Sequence, residues 1–355
     1  MRQVTAWLLG VLIAGAAGAA AQTTGPARTQ ALGWVDANAR ALAEVNKKIW
    51  TWAETGLEER RSSAELITLL ESNGFAVEAG VADMPTAFVA SYGSGRPIIG
   101  ILAEYDALPG LSQEAAPSRT AREGVMAGHG CGHSIFGTAS TGAAIAVKQA
   151  IERGAIRGTI RLYGTPAEET GIIAAGAAMM TRTTLAGVRV DSDMHEVLPS
   201  RTLSEVIQRN LELVGPPSFT DAEKAFARET QAALRGGRDV ALSETIEPLP
   251  DGPGQGVAST DVGDISWFVP VGQLTAASYT FGAPGHSWQI VACTGMSIGE
   301  KGMMVAARAL AGAAVDLFES PALITRARAE LDALRATLPF VTLIPEGQRA
   351  PKVIR

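Results

Sequence analysis

Three side chains able to bind a metal fall within six residues, Gly128-His129-Gly130-Cys131-Gly132-His133, interleaved with glycines. On a helix, His129 and His133 would share a face while Cys131 pointed away; in a looped segment all three can point one way. Glycines at 128, 130 and 132 favour the loop, because glycine turns where other residues resist. A thiolate and imidazoles on one loop suit a borderline-soft divalent ion such as zinc. The alternative is a glycine-rich turn with incidental polar residues. Any fold this chain adopts has to bring further donors to that loop.

The surrounding pattern shows how. Leu42, Val45, Ile49 and Trp52 follow helical spacing, which predicts a helix over roughly 35–54, and a second runs from about Ser63 to Ser72, ending at Asn73-Gly74. Strand-like runs follow at 86–90 and 98–103, the second apolar enough to be covered on both faces. A small-residue helix (about 137–152) leads into a strand from Thr159 to Tyr163. Thr202-x-x-Glu205 and Thr220-x-x-Glu223 have capping-box spacing. Residues 246–260 read as a Pro/Gly-rich loop, 277–281 as a strand and 296–318 as a helix. Alternating strands and helices of this kind indicate an α/β layer fold, and the length allows one large domain or two ordinary ones.

Three further segments carry candidate chemistry. Gly164-Thr165-Pro166-Ala167-Glu168-Glu169 follows a strand directly, and in α/β sheets sites gather at strand C-termini. Adjacent carboxylates near a metal can divide labour, one ligating and one taking a proton from water, although such a pair alone is more often a solvated surface feature. Gly285-His286-Ser287-Trp288 again follows a predicted strand. Leu102 to Pro109 is an acidic strand end in which Asp106 could orient a ligand histidine from behind.

Charge and termini narrow the class. Thirty Lys+Arg against 36 Asp+Glu give a net charge of −6, so no basic field drives nucleic-acid binding. Arg2, the apolar run Trp7 to Ala21 and Ala19-Ala20-Ala21 before Gln22 have the pattern of a secretory signal over 1–21, with an uncleaved anchor as the alternative. The expectation is an exported, periplasmic protein with no membrane span after cleavage, whose mature chain is a single catalytic-type domain over 22–355. Export permits a Cys131–Cys293 disulfide, but the setting of Cys131 between two histidines argues for metal.

Taken in order, Ala103–Pro109, the His129–His133 loop, Pro166-Ala167-Glu168-Glu169 and Gly285–Trp288 resemble metallopeptidase family 20, the co-catalytic zinc peptidases and amidohydrolases. Ser259–Asp264 and Ser297–Gly302 are similar to its aminobenzoyl-glutamate hydrolase branch, and the likeness spans nearly all of 33–345. The resemblance implies a three-layer α/β catalytic domain with a mixed central sheet. It implies Cys131, His133, Glu169 and His286 as ligands, with Cys131 a bridging thiolate, and Glu168 as general base. His129 matches a position the family does not use as a ligand, which leaves it behind the ligands or structural. The cofactor would be zinc or manganese, up to two ions. The reaction would be attack of metal-activated water on an amide of an N-acyl or aminobenzoyl amino acid.

The departure from the family matters as much. There, a strand carrying another ligand histidine follows the Glu-Glu pair, and then an inserted lid domain that dimerises and helps to bind substrate. Here Glu169 runs into Thr170–Ala177 and the sequence rejoins the pattern at about Met179 to Pro199, so ligand strand, lid and dimer surface are missing near 170–180. His195 is the one unassigned histidine in that region that could replace the lost ligand, although its segment resembles the family's return strand. Two readings result: a metal-dependent amidohydrolase, or a lid-less remnant of little activity that binds one metal or none.

Overall fold

The computed structural model describes residues 25–170, 195–234, 239–252, 260 and 262–342. The expected signal segment, the stretch at 170–180 where the lid is expected to be missing (apart from Thr170), and most of the rejoining segment lie outside the described residues, as do Ser259 and Asp261. The strands are β1 (Ala76–Ala79), β2 (Phe88–Gly93), β3 (Ile98–Glu104), β4 (Leu108–Pro109), β5 (Ala127–Gly128) and β6 (Thr159–Thr165). The helices are α1 (Pro26–Ala37), α2 (Ala39–Trp52), α3 (Arg60–Ser72), α4 (His133–Glu152), α5 (Arg201–Val214), α6 (Asp221–Gln231), α7 (Val262–Ser266), α8 (Trp288–Thr294), α9 (Ser297–Glu319) and α10 (Pro321–Arg335). No described helix is long and apolar enough to cross a membrane.

β3 and β6 pair in parallel, with Glu104 opposite Thr165, so both chains leave the sheet at the same edge. β2 pairs antiparallel with β6 and β1 with β2, which gives a mixed sheet of order β1-β2-β6-β3. Phe88, Ala90, Ile99, Ile101, Ala103, Ile160 and Leu162 alternate along their strands and are buried on one face. Among the described residues the opposite face is more open: Val89, Arg161 and Tyr163 are half-buried and Ile98 is 43% exposed. Coverage of β3 on both faces, expected from its apolar run, is therefore met on one.

α4 explains how the sheet edge becomes a site. Its residues from Gly137 to Lys148 are all buried, and it lies between the sheet and α1, α2 and α9. Only small side chains permit this approach. A Cβ on Gly142 would sit 2.9 Å from Leu42, and one on Gly137 only 2.6 Å from the Glu104 carbonyl oxygen. The second contact seats the first turns of α4, including His133, against the end of β3. Gly137→Ala should therefore destabilise the chain by about 1–3 kcal/mol through the backbone clash, more than the ~1 kcal/mol by which alanine favours a helix. Urea unfolding would measure this; equal or greater stability in the variant would contradict the packing.

Three local expectations need correction. The helix over 35–54 is two helices broken at Asn38, whose Nδ2 donates to the Trp34 carbonyl. α5 starts from Ser200, whose hydroxyl accepts the Leu203 amide, while Thr202 and Glu205 are turned to Glu330 and Arg201. Residues 277–281 form no strand: the backbone amide of Phe281 and the hydroxyl of Thr280 bond to loop and helix carbonyls instead of to a sheet edge. Cys131 and Cys293 are both free thiols, so the permitted disulfide is not formed; Cys293 packs in a separate apolar cluster with Phe219, Leu242 and Ile298. The Thr220 capping box, by contrast, is formed as its spacing predicts.

Candidate metal centre and active site

His133 is the hub. It opens α4 directly after the glycine loop, which is irregular over His129–Gly132. Its Nδ1 lies 2.8 Å from Asp106 Oδ1 and its Nε2 lies 3.1 Å from Glu104 Oε2 and 3.8 Å from Glu168 Oε2. Asp106, just past the end of β3, is fully buried, and its second oxygen accepts the backbone amide of Glu169 at 2.9 Å. One carboxylate thus ties the α4 terminus to the turn after β6.

That turn carries Glu168 and Glu169, which sit inward because Ala167 adopts a left-handed backbone (φ +67°). Glu59, fully buried at the entry to α3, holds the turn: it accepts the Ala167 amide at 2.9 Å and the Thr86 hydroxyl at 2.8 Å. From the far half of the chain, His286 places its Nε2 3.2 Å from Glu169 Oε2. Its backbone amide donates to the Gly130 carbonyl, and Gly130 permits this close crossing, since a Cβ there would be 2.4 Å from Leu111 and 3.3 Å from His286 Cα.

Two overlapping donor groups result, Cys131–His133–Glu169 and Glu104–His133–Glu168, each with its ligand atoms within 4.8 Å of one another. The charges decide what such a site wants. The side chains of Glu104, Asp106, Glu168 and Glu169 are 6%, 0%, 11% and 5% exposed, and the one buried imidazole among them is His133. Burial works against charge on His133, but its hydrogen bonds to Asp106 and Cys131 and the charges of Asp106 and Glu104 outweigh it and raise its pKa well above the usual range. Burial, and then the charge of Asp106, push the Glu169 carboxyl up. Both shifts mark an excess of desolvated negative charge, which a bound divalent cation offsets. The donor set, thiol with imidazole and carboxylates, fits such an ion.

Of the residues singled out in the sequence, Cys131, His133, Glu168, Glu169 and Asp106 are brought together, with His286 at the exposed rim. His129 is buried and turned to the Ile49 carbonyl of α2 (3.1 Å), where burial lowers its pKa to about 4; it is part of the packing. His195 belongs to another cluster, with Asp264 Oδ1 at 2.7 Å from Nδ1, the Val341 carbonyl at 3.0 Å from Nε2, and Phe340 and Trp267 against its ring. Glu104 and Glu59 were not singled out in the sequence. Glu104 stands two residues before Asp106, and that spacing is the signal that could have found it; Glu59 is hidden in the mixed cluster Glu58–Arg61.

Glu59 gives a pH test of this arrangement. Burial raises its pKa from 4.5 to about 7. Between those values the folded chain keeps a proton that the unfolded chain has lost, so this stability is present below pH ~4.5 and disappears as pH rises through ~7. Glu59→Gln, which cannot ionise, should flatten the fall in denaturant stability across that window. Superimposable wild-type and variant profiles would contradict the buried state of Glu59.

Comparison with known proteins identifies the family. Peptidase family M20/M25/M40 matches residues 100–342. The chain is 28% identical to a p-aminobenzoyl-glutamate hydrolase subunit of Escherichia coli over 464 aligned positions, taking in 88% of this chain and 96% of that one. Since 88% of 355 residues is about 312, roughly 150 of those positions have no residue in this chain. An N-acetylcysteine deacetylase of Bacillus subtilis is 34% identical over 43% of this chain and 34% of its own length. A Bacillus subtilis crystal structure described as a dinuclear metal-binding peptidase of family M20 superposes with a TM-score of 0.47 at 15% identity, covering 80% of this chain and 99% of that one. With the family match covering most of the chain, the protein belongs to peptidase family M20/M25/M40 and is a hydrolase of the amidohydrolase and peptidase type.

Proposed function

We propose that this chain hydrolyses the amide bond of an N-acyl or aminobenzoyl amino acid at a divalent metal centre built on Cys131, His133, Glu169 and His286, with Glu168 as general base. The observation that carries this reading is the packing of four shielded carboxylates and a thiol around His133. A site so charged favours cation binding over the alternative of a remnant that binds none. The names of the relatives, acting on aminobenzoyl-glutamate and on N-acetylcysteine, support the substrate class.

When bound, zinc or manganese polarises the amide carbonyl and makes a neighbouring water more acidic. The chain's own residues do the rest. Asp106 fixes the His133 ring through Nδ1 and the Glu169 turn through its amide. Glu168 is 11% exposed and within 4 Å of His133, placed to take a proton from the attacking water and return it to the leaving nitrogen. His286 reaches Glu169 from the exposed rim of the site.

The roughly 150 unmatched positions support a further part of the proposal, that the family's lid and ligand strand are missing between Glu169 and Pro199. Without a lid, water is excluded and substrate clamped less well, so a high KM is expected. The test is to supply the protein with zinc or manganese and p-aminobenzoyl-glutamate, N-acetylcysteine or other N-acetyl amino acids, and to follow release of the free amino acid. Turnover of at least one supports the reading; no release from any, with metal bound, contradicts it.

A further inference from the structure

Building on that metal-centre reading, we propose that Glu104 is itself a metal ligand, sharing a cation with His133 and supplying the donor that the absent segment would otherwise provide. The chain has four histidines, and all four are described. His129 is committed to the Ile49 carbonyl and His195 to Asp264 and Val341. Only His133 is buried at the centre, with His286 at the exposed rim, so a donor that replaces the missing one has to be something other than imidazole.

Glu104 is placed for that role. Its side chain is 6% exposed, and its Oε2 lies 3.1 Å from His133 Nε2. Two donors bonded to one tetrahedral zinc at ~2.0–2.2 Å sit roughly 3.3 Å apart. The pair already has the separation of two ligands of one ion. Asp106 occupies the other ring nitrogen, which fixes the ring with Nε2 towards Glu104. The group is also held rigidly, because the Gly137 contact pins the Glu104 backbone beneath α4. Glu168, 3.8 Å from the same nitrogen, remains beside the ion as base.

The test compares chelator-stripped wild-type protein with Glu104→Gln and Glu104→His in equilibrium dialysis against zinc, and in the visible spectrum with cobalt(II). Glu104→Gln keeps shape and hydrogen bonding but removes a ligand. Its zinc affinity should fall by more than the ~10–100-fold that loss of a partner outside the shell produces. Glu104→His should recover much of that affinity with shifted cobalt bands, since nitrogen replaces oxygen on the metal; a role limited to charge or packing would not restore binding or move the bands. Far-UV circular dichroism checks each fold, with Glu104→Asp taking the place of a variant that fails it.

If Glu104→Gln binds zinc and cobalt as the wild type does while Cys131→Ser does not, this proposal falls and the metal centre stands. If Glu104→Gln weakens binding and Glu104→His neither restores it nor shifts the bands, Glu104 is not a ligand. If the wild type binds no ion, the metal-centre reading falls and this proposal with it.

Discussion

Replacing Glu168 by glutamine is expected to lower kcat by about 10²–10⁴-fold, the contribution of a positioned general base. Glutamine matches the glutamate in size and can still contact the His133 nitrogen, but it cannot accept a proton from water. The carboxylate sits after β6, on a turn fixed from two sides, by Glu59 through the Ala167 amide and by Asp106 through the Glu169 amide. A substitution of this kind should leave those contacts, the fold and the bound metal in place. Steady-state hydrolysis measured alongside metal content separates the roles. A fall in kcat at constant metal content is the expected result. Unchanged turnover would remove Glu168 as the base, and parallel loss of metal would make it a ligand.

His133→Ala should have the second large effect, on binding and on stability together. Its imidazole touches Asp106 and Glu104 directly and belongs to both donor groups. Without it, these buried carboxylates lose their one buried cationic partner, and breaking a buried pair from one side destabilises by about 3–5 kcal/mol. The deficit should be largest in chelator at neutral pH and smaller in acid, where the carboxylates take up protons. Denaturant unfolding with and without zinc, together with a metal assay, measures both effects. A variant as stable as the wild type in chelator would show that the carboxylates are compensated elsewhere.

Much of this site was legible in the sequence, because its chemistry depends on residue types at fixed spacing. The glycines at 128, 130 and 132 marked a loop, and Gly130 does lie where another backbone crosses. The carboxylates after a predicted strand did lie where the parallel strands β3 and β6 end. What escaped depends on burial and on partners far along the chain. Glu59 and Glu58 are neighbours in sequence, yet Glu59 is fully buried while Glu58 is exposed, because only Glu59 faces Thr86 and Ala167. Sequence leaves His195 open as a replacement ligand, and its bond to Asp264 and its contact with the Phe340 ring place it in another cluster. Residues 277–281 have strand composition but no neighbouring edge, and composition alone does not supply one. The break at Asn38 was missed because the apolar positions from Leu42 onward continue the period of Trp34 and Val35 closely enough to read as one helix.

The most direct measurement is amide hydrolysis by one preparation assayed as purified, after exhaustive chelation, and after zinc or manganese is added back, with p-aminobenzoyl-glutamate and N-acetylcysteine as substrates. A centre of four shielded carboxylates, a thiol and one buried imidazole predicts that chelation abolishes turnover and that the metal restores it. Hydrolysis that survives complete removal of metal would contradict the metal-centre mechanism.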